Sequence, residues 1–542
     1  MREDPRWTIF PEVCFAWRRA CGILTTVKKS LSIVVFSSAV IAGLSLAWSP
    51  TATTILATGA NDQVQPKMSA AANDGFFMSW FDNATGGYDV RANLFDASGA
   101  PMWGANGTLV ADRSYSSTVD YYSSAVSGGK LAVAYNDDRL GGDRISASLL
   151  SAAGAILWTT TIDPLGAYVA NPKVREDPSD GSIYLSWYQG SATKLQKLDP
   201  ATGAQLWATA VAIQDGTAQT TNTDLWPAAD SAGGVMVSCV RQVGFTGAKT
   251  LKAWRVSPAG VLGWTTSSTA PAVVFSTGSL QFGNYPPCQS IPGVGYVFCW
   301  YTSSPLQCSV QFLDLQGVAK FGPSGAVVAT TPVLERVSPR FAVDAAADRI
   351  YAVWPEHVAN SSNYGVSAQA FALSGTGTRL WGESGLSLSP IVAQYSTDFV
   401  SVTAGSGGAT FAWQTSSANA QDSVYAQRVS AAGAAQWALA ARVDGPTDKG
   451  MMVSVRQSSA SVFVWPDGAI GNTEIAAQRV GDDGLVGSNP GTPGDVNGDG
   501  VVNGADLSTV LAAWATNDPD ADINDDGIVD GSDLAAVLAA WT

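Results

Sequence analysis

Between residues 53 and 488 the chain alternates short apolar runs with segments rich in Gly, Asp, Ser and Thr. The stretches 75–80, 130–135 and 461–465 are nearly continuous apolar runs, whereas 424–429 alternates apolar and polar residues. Continuous runs bounded by turn residues are typical of buried strands, and alternation is typical of strands with one buried face. The pattern therefore predicts a mainly β domain built from many short strands.

This pattern recurs eight times. Seven copies carry a glycine followed four residues later by an aromatic residue, Gly484 marks an eighth copy without the aromatic, and successive glycines lie 49 to 60 residues apart. The seven pairs are Gly99/Trp103, Gly154/Trp158, Gly203/Trp207, Gly260/Trp264, Gly317/Phe321, Gly377/Trp381 and Gly433/Trp437. Each copy also has an apolar run, and the eight runs end at Trp80, Tyr135, Trp187, Cys239, Trp300, Trp354, Trp413 and Trp465.

Each copy has room for four strands, so the repeats predict an eight-bladed β-propeller of four-stranded blades over residues 48–488. We expect the aromatic residues to fill the space between blades and the glycines to permit turns. The segment 54–57 resembles the outermost strand of a unit whose other strands are missing. Pairing it with the last blade would close the ring and cover the open sheet edges.

One copy, residues 198–207, closely resembles the tryptophan-docking motif of quinoprotein-type eight-bladed propellers. The other copies match that motif mainly at Gly and Trp. The resemblance implies the propeller architecture. It does not imply a quinone cofactor or a dehydrogenase, because no residues here match those that hold the quinone.

Residues 495–542 contain two near-copies of one acidic loop, at 495–506 and 522–533. Both place oxygen-bearing side chains at loop positions 1, 3, 5, 9 and 12 and a glycine at position 6. This is the spacing by which EF-hand loops supply oxygen ligands to Ca²⁺, with position 7 donating its backbone carbonyl. We predict two calcium sites, whose ligands are Asp495, Asn497, Asp499, Val501, Asn503, Asp506, Asp522, Asn524, Asp526, Ile528, Asp530 and Asp533.

Apolar residues at helical spacing follow each loop: Leu507, Val510, Leu511 and Trp514 after the first, and Leu534, Val537, Leu538 and Trp541 after the second. No helix is predicted ahead of either loop, because Gly491, Pro493 and Gly494 precede the first and Pro519 lies three residues before the second. This duplicated loop-helix unit, with Asp rather than Glu at position 12, resembles a dockerin. Its Leu-Ala-Ala-Trp endings resemble the variant found in planctomycete-like bacteria.

The resemblance implies a small α-helical module over residues 495–542 that folds with calcium and docks onto a cohesin-type or cell-surface protein. In that family, side chains at loop positions 10 and 11 help to select the partner. Here those positions hold Gly504, Ala505, Gly531 and Ser532, which are smaller and less polar than in many members. A calcium-stapled terminal cap is the alternative interpretation. Residues 489–494 are predicted to be a linker.

Residues 1–47 are predicted to be an N-terminal extension and a secretory signal. Lys28 and Lys29 precede an apolar run over residues 30–47, and small residues at 45–47 suit cleavage near Ala47. An uncleaved membrane anchor is the alternative, and Val27 is a candidate natural start. We therefore expect a secreted or cell-surface protein.

The charge of the chain narrows the classes of molecule that it can bind. The formal net charge is −15 and only 14% of residues are charged, so nucleic acid, which needs clustered basic residues, is excluded as a partner. We expect a monomer, with polysaccharide as a candidate ligand besides the cohesin-type or cell-surface protein.

Four cysteines remain outside the leader. Either Cys288 and Cys308 form a local disulfide bridge, or all four are reduced, buried thiols.

Candidate catalytic groups are few. The single histidine, His357, is expected in an exposed loop, and no nucleophile-elbow pattern accompanies it. Carboxylates recur two residues beyond the apolar-run aromatic in four copies, at Asp82, Asp137, Glu356 and Asp467. A pair of carboxylates could hydrolyse a glycosidic bond, whereas Asp and Glu also begin turns.

Two functions are therefore open. The first is an exported binding or structural propeller that its calcium module attaches to an assembly. The second is a polysaccharide-degrading enzyme, a glycoside hydrolase or lyase, with its active site on the propeller face.

Overall fold

The computed structural model describes residues 48–541 except 50–51, 119, 165, 265–269, 282–285, 393–398, 417–421, 439–440, 488–493, 497–501, 517, 519–520 and 524–527. The predicted N-terminal extension and secretory signal, residues 1–47, lie outside this range. Neither of the two helices in the described part is long and apolar enough to cross a bilayer.

The strands of the first half of the chain form a short N-terminal strand and four antiparallel sheets, here called blades 1 to 4. The N-terminal strand is β1 (Thr54–Ala57). Blade 1 comprises β2 (Gln63–Ala70), β3 (Phe76–Asp82), β4 (Asp89–Phe95) and β5 (Thr108–Ala111); blade 2 comprises β6 (Tyr121–Val126), β7 (Lys130–Asp137), β8 (Arg144–Leu150) and β9 (Ile156–Ile162). Blade 3 comprises β10 (Val169–Glu176), β11 (Ile183–Gln189), β12 (Ala192–Leu198) and β13 (Val211–Ile213); blade 4 comprises β14 (Gln219–Pro227), β15 (Val235–Gln242), β16 (Thr250–Val256) and β17 (Ala272–Phe275).

The second half repeats this arrangement in blades 5 to 8. Blade 5 comprises β18 (Cys288–Ile291), β19 (Gly295–Tyr301), β20 (Cys308–Asp314) and β21 (Ala326–Val327); blade 6 comprises β22 (Glu335–Arg336), β23 (Arg340–Asp344), β24 (Arg349–His357), β25 (Tyr364–Ala372) and β26 (Leu386–Ser389). Blade 7 comprises β27 (Val400–Gly405), β28 (Gly408–Ser416), β29 (Asp422–Ser430) and β30 (Ala441–Thr447). Blade 8 joins β31 (Val453–Arg456), β32 (Ala460–Asp467) and β33 (Glu474–Gly481) to β1, and the helices α1 (Gly504–Ala512) and α2 (Gly531–Ala539) follow.

The predicted eight-bladed β-propeller is confirmed. In blades 1 to 7 the strands pair antiparallel in chain order, with the first strand of blade 6 split into β22 and β23, and in blade 8 the outermost strand is β1. The first strands of neighbouring blades contact one another, as β2 does with β6, β6 with β10, β10 with β14, β14 with β18, β23 with β27, β27 with β31, and β31 with β2. These inner strands therefore surround the axis of the ring.

The second strand of each blade carries the continuous apolar run, and these strands are almost wholly buried. Neighbouring blades cover both of their faces, which explains why these runs do not alternate with polar residues. The residues that end the eight predicted apolar runs are all buried: Trp80, Tyr135, Trp187, Cys239, Trp300, Trp354, Trp413 and Trp465.

Consecutive blades are joined by the predicted Gly and Trp positions, with a specific geometry. The glycine of one copy lies on the aromatic ring of the copy before it. A Cβ at Gly154 would lie 2.6 Å from Cγ of Trp103, and a Cβ at Gly203 would lie 2.6 Å from the ring of Trp158. The same contact recurs at Gly260/Trp207, Gly317/Trp264, Gly377/Phe321, Gly433/Trp381 and Gly484/Trp437.

Hydrogen bonds fix five of these indoles against the next blade. Trp103 Nε1 donates to the carbonyl of Ala152 at 2.8 Å, and Trp437 Nε1 donates to the carbonyl of Asp482 at 2.8 Å. A third-strand amide holds the turn that carries the indole. For example, Asn93 Nδ2 donates to the carbonyl of Gly104, and Asn93 Oδ1 accepts from the backbone N–H of Trp103.

The ring is closed by the N-terminal segment, as predicted, and the structure adds the residue responsible. Strand β1 pairs with β33 of blade 8. Trp48 lies under Gly99, and its Nε1 donates to the carbonyl of Ala97 at 2.8 Å. Gln478 Nε2 donates to the carbonyl of Ser49 at 2.8 Å, as the third-strand amides of other blades do near their own indoles. Trp48 is therefore the aromatic residue that the eighth copy lacks in sequence.

Two glycines allow the steric effect of the contact between glycine and aromatic ring to be measured apart from backbone strain. Gly154 and Gly141 have φ angles of +80° and +79°, but a Cβ at Gly141 would have nothing within 4 Å. We expect Gly141→Ala to lower the free energy of unfolding by about 1 kcal/mol through backbone strain alone. Gly154→Ala should cost about 1–3 kcal/mol more, because the methyl group overpacks against Trp103. Denaturant unfolding measures the loss of stability in both variants. Equal losses would contradict the claim that the ring of Trp103 leaves no room for a Cβ at residue 154.

Candidate functional site

The C-terminal module repeats one local structure twice. Helices α1 and α2 each follow an acidic loop, and each begins with a capping box. Asn503 Oδ1 accepts from the N–H of Ala505 at 2.7 Å, and Asp530 Oδ1 accepts from the N–H of Ser532 at 2.7 Å. A cap of this kind satisfies amide groups that a helix start leaves without partners. The predicted order of loop then helix is therefore confirmed for both copies.

The module has its own small core. The buried residues come in equivalent pairs from the two copies, and α1 contacts α2. Val502 and Val529 follow position 7 of each loop, and Val510 and Val537 lie on the helices. The backbone of Val529 pairs with Ala515 and Thr516, which ties the second loop to the end of the first unit. The duplicated sequence therefore folds into one unit with approximate internal symmetry.

Position 12 of each loop is the most informative described ligand position. Asp506 and Asp533 are both 0% exposed. Asp533 Oδ2 accepts from the N–H of Asp530 at 2.8 Å, and its Oδ1 accepts from the N–H of Ile523 at 2.7 Å. Residues 495–542 contain ten Asp and neither Lys nor Arg, so the module offers no basic side chain to neutralise these buried carboxylates. Buried charges are normally paired or coordinate a metal.

Seven of the twelve predicted ligands lie in the described part: Asp495, Asn503, Asp506, Asp522, Ile528, Asp530 and Asp533. The other five, Asn497, Asp499, Val501, Asn524 and Asp526, lie outside the described residues. The described oxygen donors suit a hard cation such as Ca²⁺, which prefers carboxylate and carbonyl oxygen. The assignment of these twelve ligands to two calcium ions stays a prediction.

Each helix also leaves an apolar pair exposed. Leu511 and Trp514 are 52% and 43% exposed, and the equivalent Leu538 and Trp541 are 55% and 46% exposed. The predicted helical stripe thus divides: Val510 and Val537 face the core, whereas these four residues, here called the Leu-Trp surface, remain open. The loop positions 10 and 11, residues 504–505 and 531–532, are exposed as well.

The four candidate catalytic carboxylates end the second strand of four different blades. Asp82 lies on blade 1, Asp137 on blade 2, Glu356 on blade 6 and Asp467 on blade 8. Blades 8, 1 and 2 are consecutive around the ring, whereas blade 6 is separated from them by blade 7. The structure therefore places three of the four on neighbouring blades and Glu356 apart from them.

Asp82 and Asp467 are each paired with a basic side chain. Asp82 forms an ion pair with Arg91 of its own blade, with Nε 2.5 Å from Oδ2, and its other oxygen accepts from the backbone N–H of Ala84. Asp467 lies 3.0 Å from Nζ of Lys449, a buried side chain between β30 and β31 that also pairs with Asp444 of blade 7. Asp82 therefore holds together segments of a single blade, whereas Asp467 helps to join blades 7 and 8.

Asp137 and Glu356 each accept hydrogen bonds from several side chains. Arg139 donates from Nε and Nη2 to the two oxygens of Asp137, at 2.8 Å each, and Ser146 donates at 2.6 Å. Burial by itself raises the pKa of Asp137, but the hydrogen bonds from Arg139 and Ser146 outweigh burial and hold the pKa below its ordinary value. Glu356 accepts from Nε of Arg336 at 3.0 Å, and also from side chains of its own blade.

His357 does not occupy the exposed loop that the sequence suggested. It is the last residue of β24 and only 7% exposed, with its ring 4.4 Å from that of Tyr364. Its Nε2 lies 3.4 Å from Oε2 of Glu335, which pairs with it across the strands. The expectation was wrong because β24 runs past Trp354 to residue 357, and the hairpin to β25 covers the ring.

The suggested bridge between Cys288 and Cys308 is also wrong. All four cysteines in the described part are free and buried. Cys288 donates from Sγ to Ser238 of blade 4, and Cys299 donates to the carbonyl of Pro339 of blade 6. Burial raises the pKa of Cys239 and of Cys299 to about 12. These thiols therefore behave as small buried apolar groups, as the competing interpretation held.

The sequence patterns did not single out a group of basic residues on the inner strands. Lys67 lies on β2, and Lys173 and Arg175 lie on β10. A signal was present, because a basic residue follows proline on three inner strands, at Pro66-Lys67, Pro172-Lys173 and Pro339-Arg340.

The fold and the module define a class of protein: an eight-bladed β-propeller with a duplicated loop-helix unit behind it. Residues 493–540 match the family model of the dockerin type I domain, so the chain carries a dockerin domain at this end. Dockerin domains bind calcium and cohesin-type partners. Among curated proteins, none matches this chain.

Several solved structures are similar to the chain at low sequence identity. The Dos1 propeller has a TM-score of 0.44 and 9% identity, covering 80% of this chain and 95% of that one. An ulvan lyase, from a family of polysaccharide lyases, has a TM-score of 0.42 and 10% identity, covering 80% and 97%. Prolyl oligopeptidase B from Galerina marginata has a TM-score of 0.41 and 12% identity, covering 76% of this chain and 56% of that one.

The geometry of Asp137 predicts a structural effect on substitution. Asp137→Asn keeps the shape of the side chain but removes the charge that Arg139 and Ser146 stabilise. We expect a loss of about 2 kcal/mol in the free energy of unfolding at pH 7. Because the folded state holds the pKa of Asp137 low, this stabilisation exists above the ordinary aspartate pKa and disappears as pH falls through the folded-state value. The difference from the wild type should therefore shrink below about pH 4.

Asp112→Asn is the matched control for this change, since Asp112 is exposed. Denaturant unfolding across pH gives both free energies. A pH-independent difference for Asp137→Asn, or an equal loss for Asp112→Asn, would contradict the role of the carboxylate charge.

The buried carboxylates of the module generate a second prediction. Removing divalent metal with EGTA should unfold the described module, because Asp506 and Asp533 would then be buried without a compensating cation. Calorimetry of the full chain should show a transition that EGTA removes and added CaCl₂ restores, while the propeller transition stays in place. Asp506→Asn with Asp533→Asn should abolish this calcium effect, and Asp483→Asn, outside the module, should not. An identical scan with and without EGTA would contradict the prediction.

Proposed function

We propose that this protein is an exported β-propeller that a calcium-dependent dockerin module attaches to a cohesin-type partner in a cell-surface or multiprotein assembly, and that the propeller has a binding role. The observation that carries the proposal is the duplicated module, in which two carboxylates are buried within a segment that contains neither Lys nor Arg, and two equivalent apolar pairs are exposed. In this proposal residues 48–488 form the binding domain, 489–494 the linker and 495–542 the attachment module.

The Leu-Trp surface is the part of the module best suited to a protein partner. Exposed apolar groups of this size, repeated in the two copies, cost solubility unless another protein covers them. The loop positions 504–505 and 531–532 are open, and an added Cβ at Gly504 or Gly531 would meet nothing within 4 Å. A partner could therefore approach the start of either helix closely.

Secretion is proposed on the basis of the leader pattern and the dockerin domain, since proteins with this domain are typically extracellular or bound at the cell surface. The position of Trp48 supports cleavage near Ala47. Trp48 is 2% exposed and closes the ring against Gly99, so the folded domain already includes the residue after the proposed cleavage position.

We favour binding over the alternative of a polysaccharide-degrading enzyme because of the partners of the candidate carboxylates. Asp82, Asp137 and Glu356 each form an ion pair with a side chain of the same blade, and Asp467 forms one with Lys449. A carboxylate engaged in this way is a poor proton donor or nucleophile, since its lone pairs and charge are already used.

Calorimetric titration of the full chain with a cohesin domain tests the attachment. We expect binding in CaCl₂ and none in EGTA. Leu511→Lys combined with Leu538→Lys should weaken binding at least about tenfold, a change of about 1.4 kcal/mol, because charge replaces the apolar contact. Leu140→Lys, at a 64% exposed leucine of the propeller, should have no effect. Calcium-independent binding, or equal binding by the double variant, would overturn the proposed docking surface.

A further inference from the structure

Side chains from three consecutive blades meet on the axial side of blade 3. The hydroxyl of Tyr122 in blade 2 donates to Oδ1 of Asp224 in blade 4, at 3.2 Å, although blade 3 lies between them. Because the inner strands surround the axis, a contact between blades two apart can form only on the axial side. Arg175 of blade 3 lies within this contact, with its guanidinium 5.2 Å from the ring of Tyr122 and 3.9 Å from that of Trp226.

Arg175 directs its N–H groups to neutral oxygens. Nε donates to the carbonyl of Leu225 at 2.9 Å, and Nη1 donates to the hydroxyl of Ser124 at 2.9 Å. Nη2 donates to the hydroxyl of Tyr122. These bonds fix the guanidinium in place but leave its positive charge uncompensated.

Two lysines extend the positive charge. Lys67 Nζ lies 4.9 Å from the ring centroid of Tyr121, and Lys173 Nζ lies 5.0 Å from that of Tyr122. Across the described part of the chain, no carboxylate lies within ion-pair distance of Lys67, Lys173 or Arg175.

Two acidic groups, Asp120 and Asp224, lie near the three cations and offset part of their charge at longer range. The oxygens of Asp224 already accept from the hydroxyl of Tyr122, the N–H of Leu225 and Nε1 of Trp226. We call Lys67, Lys173 and Arg175, with the aromatic residues Tyr122 and Trp226, the axial cluster.

The backbone is distorted where it presents both lysines. Gln65 and Asn171, each followed by proline and then lysine, have φ angles of +52° and +51°. The pairing with the second strand shifts at the same points, between Val64 and Lys67 and between Ala170 and Lys173. A left-handed conformation costs a residue other than glycine about 1–3 kcal/mol and persists where surrounding structure enforces it, often at ligand sites.

Hydrogen bonds from neighbouring blades stabilise this left-handed conformation at both residues. The hydroxyl of Tyr121 donates to the carbonyl of Gln65 at 2.6 Å, and Asn222 Nδ2 donates to the carbonyl of Asn171 at 2.7 Å. The same bulge therefore forms on two inner strands, and in each case it sets a lysine beside an aromatic ring of blade 2.

Burial and nearby positive charges disfavour the protonated form of both lysines of the axial cluster. Burial lowers the pKa of Lys67 to about 8, and the charge of Lys173 lowers it further, against a smaller opposing effect of Asp120. Burial also lowers the pKa of Lys173. An anion placed among these groups would relieve both effects, because it would compensate the charges that the fold leaves unpaired.

We propose that the axial cluster is a binding site for a carboxylate or sulfate group, and that this group belongs to the ligand of the propeller. The proposal rests on the binding role proposed above and names its chemistry. Lysine and arginine supply the charge, and the hydroxyl groups of Tyr122 and Ser124 can exchange hydrogen bonds with a polar ligand. An acidic saccharide and a free inorganic anion share the required chemistry, so the experiment includes both.

Calorimetric titration of the full chain tests the site with three probes: trigalacturonate, its fully methyl-esterified form, and sodium sulfate. We expect trigalacturonate to bind and the ester, which has the same sugar chain without charge, not to bind. Lys67→Met and Lys173→Met should each weaken binding at least tenfold. Lys194→Met, on the third strand of blade 3 and outside the cluster, should leave binding unchanged. Added NaCl should weaken binding, since the interaction is electrostatic.

The possible outcomes distinguish an acidic saccharide from a free inorganic anion. They also distinguish failure of the axial site from failure of the proposed attachment to cohesin. Sulfate binding with the same dependence on Lys67 and Lys173, without trigalacturonate binding, supports the anion site and assigns it to a free anion. Equal binding of trigalacturonate and its ester, no binding of either anion, or unchanged binding in both lysine variants would overturn the site. The two variants lie on different blades, and thermal unfolding identifies a variant that fails to fold. Cohesin titration of the same proteins measures attachment separately.

Discussion

The contact between an aromatic ring of one blade and a glycine of the next is the constraint on which the propeller depends. A four-stranded blade has two apolar faces, and it can bury both only between two neighbours. The ring at Trp103 and the bare Cα of Gly154 bring adjacent blades closer than a side chain would allow. The indole N–H then fixes the direction of approach, because its acceptor is a backbone carbonyl of the next blade. Trp48 makes this contact with Gly99, and β1 pairs with β33, so the ring closes between blade 8 and blade 1.

Charged residues are used in two different ways within this framework. The acids that end the second strands are matched by basic side chains in their own blade, as Asp137 is by Arg139. A paired charge of this kind stabilises its blade and has little capacity left for a ligand. Around the axis the arrangement is the opposite, since Lys67, Lys173 and Arg175 are close together and have aromatic and neutral partners. The propeller therefore gathers three basic side chains at the axis, which Asp120 and Asp224 offset only in part, although the chain as a whole has a net charge of −15.

The C-terminal module follows a different physical principle from the propeller. Its core is small, and its sequence contains ten Asp and neither Lys nor Arg. We expect the stability of such a unit to come from a bound cation rather than from the area of its apolar core. A bound cation would explain how 48 residues can leave four large apolar side chains exposed and still fold. The propeller, in contrast, is held by contacts that run around the whole ring.

The sequence by itself determined the features that depend on short spacing. Runs ending at residues such as Trp80, repeated glycine anchors, and oxygen donors at fixed loop positions are local patterns, so they predicted the blades and the loop-helix units correctly. The sequence did not determine which distant groups meet. Trp48 joins the eighth blade and Tyr122 reaches Asp224 only because the ring closes. Closure brings together groups separated by 51 to 429 residues, and no local spacing records that distance. For this reason tertiary structure alone decided the axial cluster, the partners of the acids and the role of the first tryptophan of the ring.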